Sequence, residues 1–213
     1  MVGVLRPPSA TGVILAGGES SRMGRDKALI PVGGVPMLRR AADAVAAVCA
    51  EVLIIGDQAG REELELPPRA RWVADVVRGR GPLGGVHAGL AAASHETVFA
   101  ASCDMPLLNS WLITVLLGIM QQDAMRLYSA VVPRVGQASQ TLHAVYRRSC
   151  VEEAERLLSE EERPGLQSLL RKLRVLYVDE ERLTAFDLDM RSMMSVNTQE
   201  DLDRAERLLQ GAY

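Results

Sequence analysis

The residues with the clearest chemical content fall in one short stretch, Thr11 to Lys27, which reads TGVILAGGESSRMGRDK. Arg22, Arg25 and Lys27 place three cations within six residues, and only Glu19 and Asp26 oppose them there. Gly17, Gly18 and Gly24 lie among these charges, where the lack of a Cβ lets backbone N–H groups turn towards a ligand. Cations and turned amides together suit phosphate oxygens. Two familiar loops are excluded by spacing. Gly24 is followed by Arg25 and position 19 is glutamate, so the stretch is not a P-loop. Gly17 and Gly18 are adjacent and the next glycine is six residues on, so it is not G-x-G-x-x-G either. Phosphate binding by a third kind of loop is the functional reading. A surface turn with solvated charges is the plain one.

Asp104 is the second candidate. It follows the apolar run Thr97–Ala101 directly after Ser102-Cys103, and ligands of open α/β sheets bind beyond the carboxyl ends of strands. Its carboxylate suits Mg²⁺, which uses one or two carboxylates with phosphate oxygens and water. An N-cap or Asx turn closing the strand is the alternative. A glycine-rich segment, Gly79 to Gly85, precedes an Ala-rich helix expected from about Val86 to Ser94. Its small residues Gly84, Gly85, Ala88 and Gly89 fit either a wall of a ligand pocket or tight helix–sheet packing. His87 and His143 have no metal-spaced partners and read as structural residues.

The elements that must hold these residues follow from periodicity. Val13-Ile14-Leu15-Ala16 is a short apolar run bounded by glycines, the mark of a strand buried on both faces. Ala28 to Val32 reads as extended, and Gly33-Gly34 as a turn. Met37, Leu38, Ala41, Val45 and Val48 then recur at helical spacing, followed by the strand Val52–Ile55 and Gly56-Asp57. A third strand, Arg71–Ala74, leads to Asp75. Beyond Asp104 come a helix from Trp111 with Leu112, Val115, Leu116, Ile119 and Met120 inward, and strands at Ser129–Pro133 and Thr141–Tyr146. Helices over Ser149–Leu158 and Leu166–Leu173 and a strand at Val175–Val178 complete the middle. Thr198 and Asp201 have the spacing of a capping box before a last helix docked by Leu202, Ala205, Leu208 and Leu209.

The whole chain of 213 residues suits a single α/β domain over 11–213, with residues 1–10 as a loose arm. Hydrophobic residues make up 48% and aromatics only 4%, so aliphatic side chains must fill the core. A net charge of −3 gives no field for a polyanion, and nucleic acid is not an expected partner. No apolar run approaches the ~20 residues that span a bilayer, so a membrane is not expected either. Cys49, Cys103 and Cys150 form no pair or metal spacing, which reads as reduced thiols in a cytoplasmic protein.

Three separated pieces, LAGGESSRMGRDK at 15–27, RGPLGGVHAGL at 80–90 with ASCDMPLL at 101–108, and SVNTQEDL at 195–202, resemble the molybdenum cofactor guanylyltransferases, within the wider nucleotidyltransferase group. Leu-Ala-Gly-Gly favours the guanylyl branch; cytidylyl relatives look like Leu-Ala-Ala-Gly there. The resemblance implies a Rossmann-like three-layer sandwich of the nucleotide-diphospho-sugar transferase type, with a mostly parallel, mixed central sheet. It implies a nucleotide contacted by Leu15, Ala16, Gly17, Gly18 and Asp75, a triphosphate met by Arg22 and Lys27, and Mg²⁺ on Asp104. Asn197 matches an asparagine that approaches the acceptor or a metal. Arg22, Lys27 and Asp104 would carry the catalysis. The implied reaction joins GMP from GTP to the terminal phosphate of molybdopterin or Mo-molybdopterin, with possible handover partners in cofactor delivery. A cytidylyltransferase for the same pterin, a sugar-phosphate nucleotidyltransferase and a non-catalytic nucleotide-binding regulator are the alternatives.

Overall fold

The computed structural model describes residues 9–17, 26–75, 79–162 and 164–211. The chain runs β1 (Ala10–Leu15), β2 (Pro31–Val32), β3 (Val35–Pro36), α1 (Met37–Ala46), β4 (Glu51–Ile55), β5 (Ala70–Val73), α2 (Gly81–Ala92) and β6 (Thr97–Ser102). It continues through α3 (Ser110–Gln122), β7 (Ala130–Val135), β8 (Ala138–Ser139), β9 (His143–Arg147), α4 (Cys150–Glu160) and α5 (Leu166–Lys172). The last elements are β10 (Val175–Asp179), α6 (Glu180–Leu183) and α7 (Gln199–Leu209). The main sheet has the order β10-β7-β9-β6-β1-β4-β5, with β8 paired to β7. Strands β5, β4, β1 and β6 are mutually parallel, and β9 alone among the long strands runs against its neighbours β6 and β7. This is the mostly parallel, mixed sheet expected from the sequence.

Strand β1 is an inner strand between β6 and β4, and its whole length is buried. Ala10 and Ile14 face α1 and α3, while Val13 and Leu15 face α2, α4 and α5, which gives three layers with a core on each side of the sheet. After β1 the chain builds outward through β4 and β5, then returns to place β6 on the other side of β1. That reversal is a topological switch point, and it opens a crevice at the carboxyl ends of β1 and β6. A third, smaller cluster of Ile30, Val32, Met37, Val196 and Ala205 docks α7 on the β2–β3 hairpin.

Several local expectations are corrected. Lys27–Leu29 forms a 3₁₀ turn rather than extended chain, because the Asp26 carboxylate accepts from the Ala28 N–H and caps it. Helix α2 starts at Gly81, five residues earlier than expected, with Pro82 in its first turn. The glycines after it are packing residues: a Cβ on Gly89 would lie 2.5 Å from Val13 Cγ1, and one on Gly85 2.9 Å from Leu15 Cδ2. On the other face, a Cβ on Gly12 would collide with Val45 Cγ1. In α3, Ile113 and Leu117 are fully buried where Val115 and Ile119 are only half-buried, so the inward face is rotated from the one expected. Strand β1 begins at Ala10, one residue before the expected domain boundary, and residues 1–8 of the expected arm lie outside the described residues.

His143 is fully buried on β9, edge-on to Phe99, with Nε2 2.5 Å from Ser192 Oγ. Ser192 in turn accepts from the Asn109 N–H and its own N–H is bonded by Asp187. The composition is that of a nucleophilic triad, but Ser192 has no exposure and the cluster only pins the 191–193 turn to β9 and α3. Burial pushes the His143 imidazole down from 6.5 to about 4. The folded protein therefore holds it neutral while the unfolded chain takes up a proton, so stability should fall as pH drops from 6.5 towards 4. The loss attributable to this residue is on the order of 3 kcal/mol. Urea unfolding across that range should show a shallower pH dependence in His143→Gln than in the parent; equal slopes would remove the imidazole as the cause.

Candidate active site

The crevice at the ends of β1 and β6 is where the sequence-derived residues meet. Lys27 Nζ donates to Asn197 Oδ1 at 2.8 Å across 170 residues of chain, and lies 3.9 Å from Asp104 Oδ2. The Lys27 and Asp104 side chains are each 19% exposed, so the pair is shielded yet open to one side. Asp104 Oδ1 is buried and has no hydrogen-bond partner among the described residues. A buried carboxylate oxygen left without a donor is costly unless something else meets it. The capping alternative for Asp104 is not what the fold uses. Asn109 caps α3, its Oδ1 accepting from the N–H groups of Trp111 and Leu112.

Asn197 is placed by the helix that follows it. Asp201 Oδ2 accepts from the backbone N–H of both Asn197 and Thr198 at 2.9 Å, while Thr198 Oγ1 accepts from the Asp201 N–H. The capping box read from the sequence thus fixes the residue that holds Lys27. Those same hydrogen bonds, the one from the Asn197 N–H foremost, hold the Asp201 carboxyl below the usual carboxylate range. The Val196 N–H bonds the Asp104 carbonyl at 2.8 Å and ties the two segments together by their backbones.

The end of β1 is equally constrained. Leu15 C=O accepts from the Cys103 N–H at 3.0 Å, and the Ala16 N–H donates to Ile55 C=O at 2.8 Å. Gly17 is exposed at this edge; it has no positive φ, and a Cβ on it would come no nearer than 3.9 Å to Gly56 Cα and Ile55 O. Gly56, by contrast, has φ +152° and presses on this turn, where a Cβ would stand 3.1 Å from Ala16 C and Gly17 N. Asp75 lies half-buried just past β5, at the same edge and two strands from β1 across β4. Gly18 and Arg22 lie outside the described residues.

One participant was not found from the sequence. Arg61 donates through Nε and Nη2 to both oxygens of Asp26, at 2.5 and 2.9 Å, and through Nη1 to the carbonyls of Ala16 and Asp57, at 2.9 and 3.2 Å. Its guanidinium also lies 5.6 Å from the centre of the Trp72 ring. Burial alone would raise the Asp26 carboxyl, but the hydrogen bonds from Arg61 and the Ala28 N–H, with the guanidinium charge, hold it below the usual range. In the sequence Arg61 stands before Glu62-Glu63 in a polar loop, with nothing to set it apart from a solvated charge. Arg80, in the second glycine segment, is occupied elsewhere: its guanidinium donates to the carbonyls of Leu158, Glu161 and Glu162 at the end of α4.

Among the described residues no three His, Cys, Asp or Glu side chains gather as a metal-binding group. Burial pushes the thiols of Cys49, Cys103 and Cys150 up to about 12, which makes them poor nucleophiles. Beside the Asn197 segment lies a cleft of about 720 Å³, lined by Gln140, Met190, Met193, Met194, Arg204 and Arg207 among others. No helix of the described residues is long and apolar enough to cross a membrane.

A crevice with a lysine, a carboxylate with one unpartnered oxygen, and an amide is suited to charged, oxygen-rich ligands. A molybdenum cofactor guanylyltransferase from Desulfosudis oleivorans is 37% identical over 93% of this chain and 95% of its own. A protein of Pelotomaculum thermopropionicum, described as a probable molybdenum cofactor guanylyltransferase, is 41% identical over 92% of this chain and 91% of its own. The crystal structure of molybdopterin-guanine dinucleotide biosynthesis protein A from Archaeoglobus fulgidus superposes with a TM-score of 0.80 at 24% identity, covering 94% of this chain and 99% of that one, and it carries the fold. Residues 12–176 match the MobA-like NTP transferase domain, and the chain belongs to that family of nucleotidyltransferases.

Proposed function

We propose that this enzyme moves GMP from GTP to the terminal phosphate of molybdopterin, with or without its metal, forming molybdopterin guanine dinucleotide and pyrophosphate. The observation that carries this reading is the meeting of Lys27, Asp104 and Asn197 at the carboxyl end of β1. The names of the relatives at 37% and 41% identity support it. An oxygen of the acceptor phosphate attacks the α-phosphorus of GTP, the bond from that phosphorus to the bridging oxygen of the β-phosphate breaks, and pyrophosphate leaves. The attacking group is already an anion. No side-chain nucleophile is required, and the protein's task is in-line positioning and compensation of charge.

The roles divide by position. The backbone of Leu15, Ala16, Gly17 and Gly18 meets the guanine nucleotide, with Asp75 as a further contact along the same edge. Lys27, with Arg22, meets the triphosphate. The ammonium has three donors; one is taken by Asn197 and another faces Asp104, which leaves one for a phosphate oxygen. The unpaired Asp104 Oδ1 fits a hard divalent cation such as Mg²⁺, which would neutralise the leaving group when bound with phosphate oxygens and water. Residues on either side of Asn197 in sequence, Met193, Met194, Arg204 and Arg207, line the cleft of about 720 Å³, and these methionines and arginines suit the flat body and anionic groups of the acceptor.

The reading is tested by turnover with molybdopterin across GTP, CTP, ATP and UTP. GTP should give the dinucleotide and pyrophosphate; preference for CTP would overturn the guanylyl assignment. Lys27→Ala should lower kcat by roughly 10²–10³ with the fold intact, since one preorganised electrostatic contact is removed. Asp104→Asn should abolish most of the divalent-cation response while the thermal midpoint without ligand does not fall; an unchanged cation response would exclude Asp104 as its ligand. Gly17→Ala should fold normally, because its Cβ has room, and should lose kcat/KM with GTP more than with CTP, by about 10–200-fold. Equal losses for the two nucleotides would show that Gly17 does not select the base.

A further inference from the structure

Arg61 is the only described side chain that bonds both flanks of the glycine-rich stretch between β1 and Lys27. At one flank it donates to the Ala16 carbonyl at 2.9 Å, immediately after β1. At the other it grips Asp26 with two hydrogen bonds, immediately before Lys27. The same Nη1 that bonds Ala16 also reaches the Asp57 carbonyl at 3.2 Å, just past the end of β4. The side chain is 12% exposed and lies against Trp72 of β5, so the guanidinium is braced by the sheet rather than free in solvent. A planar fork with fixed donor directions holds three acceptors in one arrangement; a lysine at the same place would offer a single point charge.

The consequence for the site runs through Asp26. Its Oδ1 also accepts from the Ala28 N–H, which caps the turn that begins at Lys27. The same carboxylate is thus gripped by Arg61 and fastens the turn carrying the ammonium, while the same guanidinium sets the Ala16 carbonyl at the end of β1. We propose that Arg61 is a positioning residue: it fixes the distance between the base-contacting end of β1 and the phosphate-contacting Lys27, so that one nucleotide spans both. The proposal rests on the nucleotide reading of the site given above. Arg61 touches no reacting atom in this arrangement and acts through Ala16 and Asp26. Misplacing a charged group by about 1 Å is enough to cost ~10²-fold in rate.

The experiment is a double-mutant cycle with Arg61→Ala, Asp26→Asn and both together, plus Arg61→Lys, each followed by GTP binding in the presence of Mg²⁺ and by turnover with molybdopterin. Thermal midpoints of all variants are measured first, and kinetic constants are expressed per folded protein. Arg61→Ala should lower kcat/KM for GTP by about 10–100-fold, with kcat falling as well as KM rising. Asp26→Asn should cost a similar factor, and the double variant little more than either single one, because both break the same link. Arg61→Lys should recover less than half of the loss on a logarithmic scale, since it keeps the charge without the fork. Additive losses in the double variant, full recovery by lysine, or a loss accounted for by the unfolded fraction would each overturn the positioning role. Failure of the guanylyl reading looks different: the parent protein itself would not turn over GTP. GTP affinity in the parent and in Arg61→Ala still decides the positioning role in that case, a tenfold or greater weakening supporting it and equal affinities overturning it.

Discussion

A hydrogen bond from the Lys27 ammonium to the Asn197 amide oxygen joins two parts of the chain that are 170 residues apart, and the candidate site depends on it. Lys27 comes from the turn after β1, and Asn197 from the residue before the cap of the last helix. Nearly the whole fold lies between them in sequence. The bond can form only if α7 docks on the β2–β3 hairpin through Val196 and Ala205, and if the Val196 N–H finds the Asp104 carbonyl. A flexible ammonium with two partners 2.8 and 3.9 Å away loses much of its rotamer freedom before any ligand arrives. Preorganisation of that kind is what makes an electrostatic group effective in transfer of a charged phosphoryl unit.

Support for the site comes from packing at β1. Gly12 admits α1 on one face, and Gly85 and Gly89 admit α2 on the other, so both helices approach closer than any side chain would allow. The strand between them is held along its length by β4 and β6. Its end is fixed by hydrogen bonds from the Cys103 N–H to the Leu15 carbonyl, from the Ala16 N–H to the Ile55 carbonyl and from Arg61 to the Ala16 carbonyl. Gly85 of the second segment, and Gly89 beyond it, therefore serve the close approach of helix to sheet. Gly56 is used in a related way, since its backbone conformation and its closeness to Ala16 leave no room for a side chain.

Much of this was legible in the sequence because the signals were local. Apolar runs gave the strands, helical spacing gave α1, α4 and α5, and the Thr198–Asp201 spacing gave a capping box that the structure contains. Lys27, Asp104 and Asn197 stood out through motifs, and the fold brings them together. What was not legible was set by contacts distant in the chain. Arg61 looks like any charge in an acidic loop until Asp26 and Ala16 are placed beside it. The early start of α2 at Gly81 puts four glycines of low helix propensity into one helix, and packing of Gly85 on Leu15 and of Gly89 on Val13 offsets that cost. The 3₁₀ turn at Lys27 depends on one side-chain cap from Asp26, which a reading of apolar pattern does not detect.

In the proposed reaction Asp104 and Lys27 form a matched pair: a carboxylate with one oxygen left for a cation, and an ammonium with one donor left for a phosphate. Both are shielded from bulk water to a similar degree, which strengthens their action on a bound polyanion. The most direct test is a crystal structure with Mg²⁺ and a GTP analogue carrying a methylene in place of the α–β bridging oxygen. The expected result places the cation on Asp104 Oδ1, a phosphate oxygen within hydrogen-bond distance of Lys27 Nζ, and the guanine along Leu15 to Gly17. Analogue bound elsewhere, with no phosphate oxygen on Lys27 Nζ and no cation on Asp104, would contradict it.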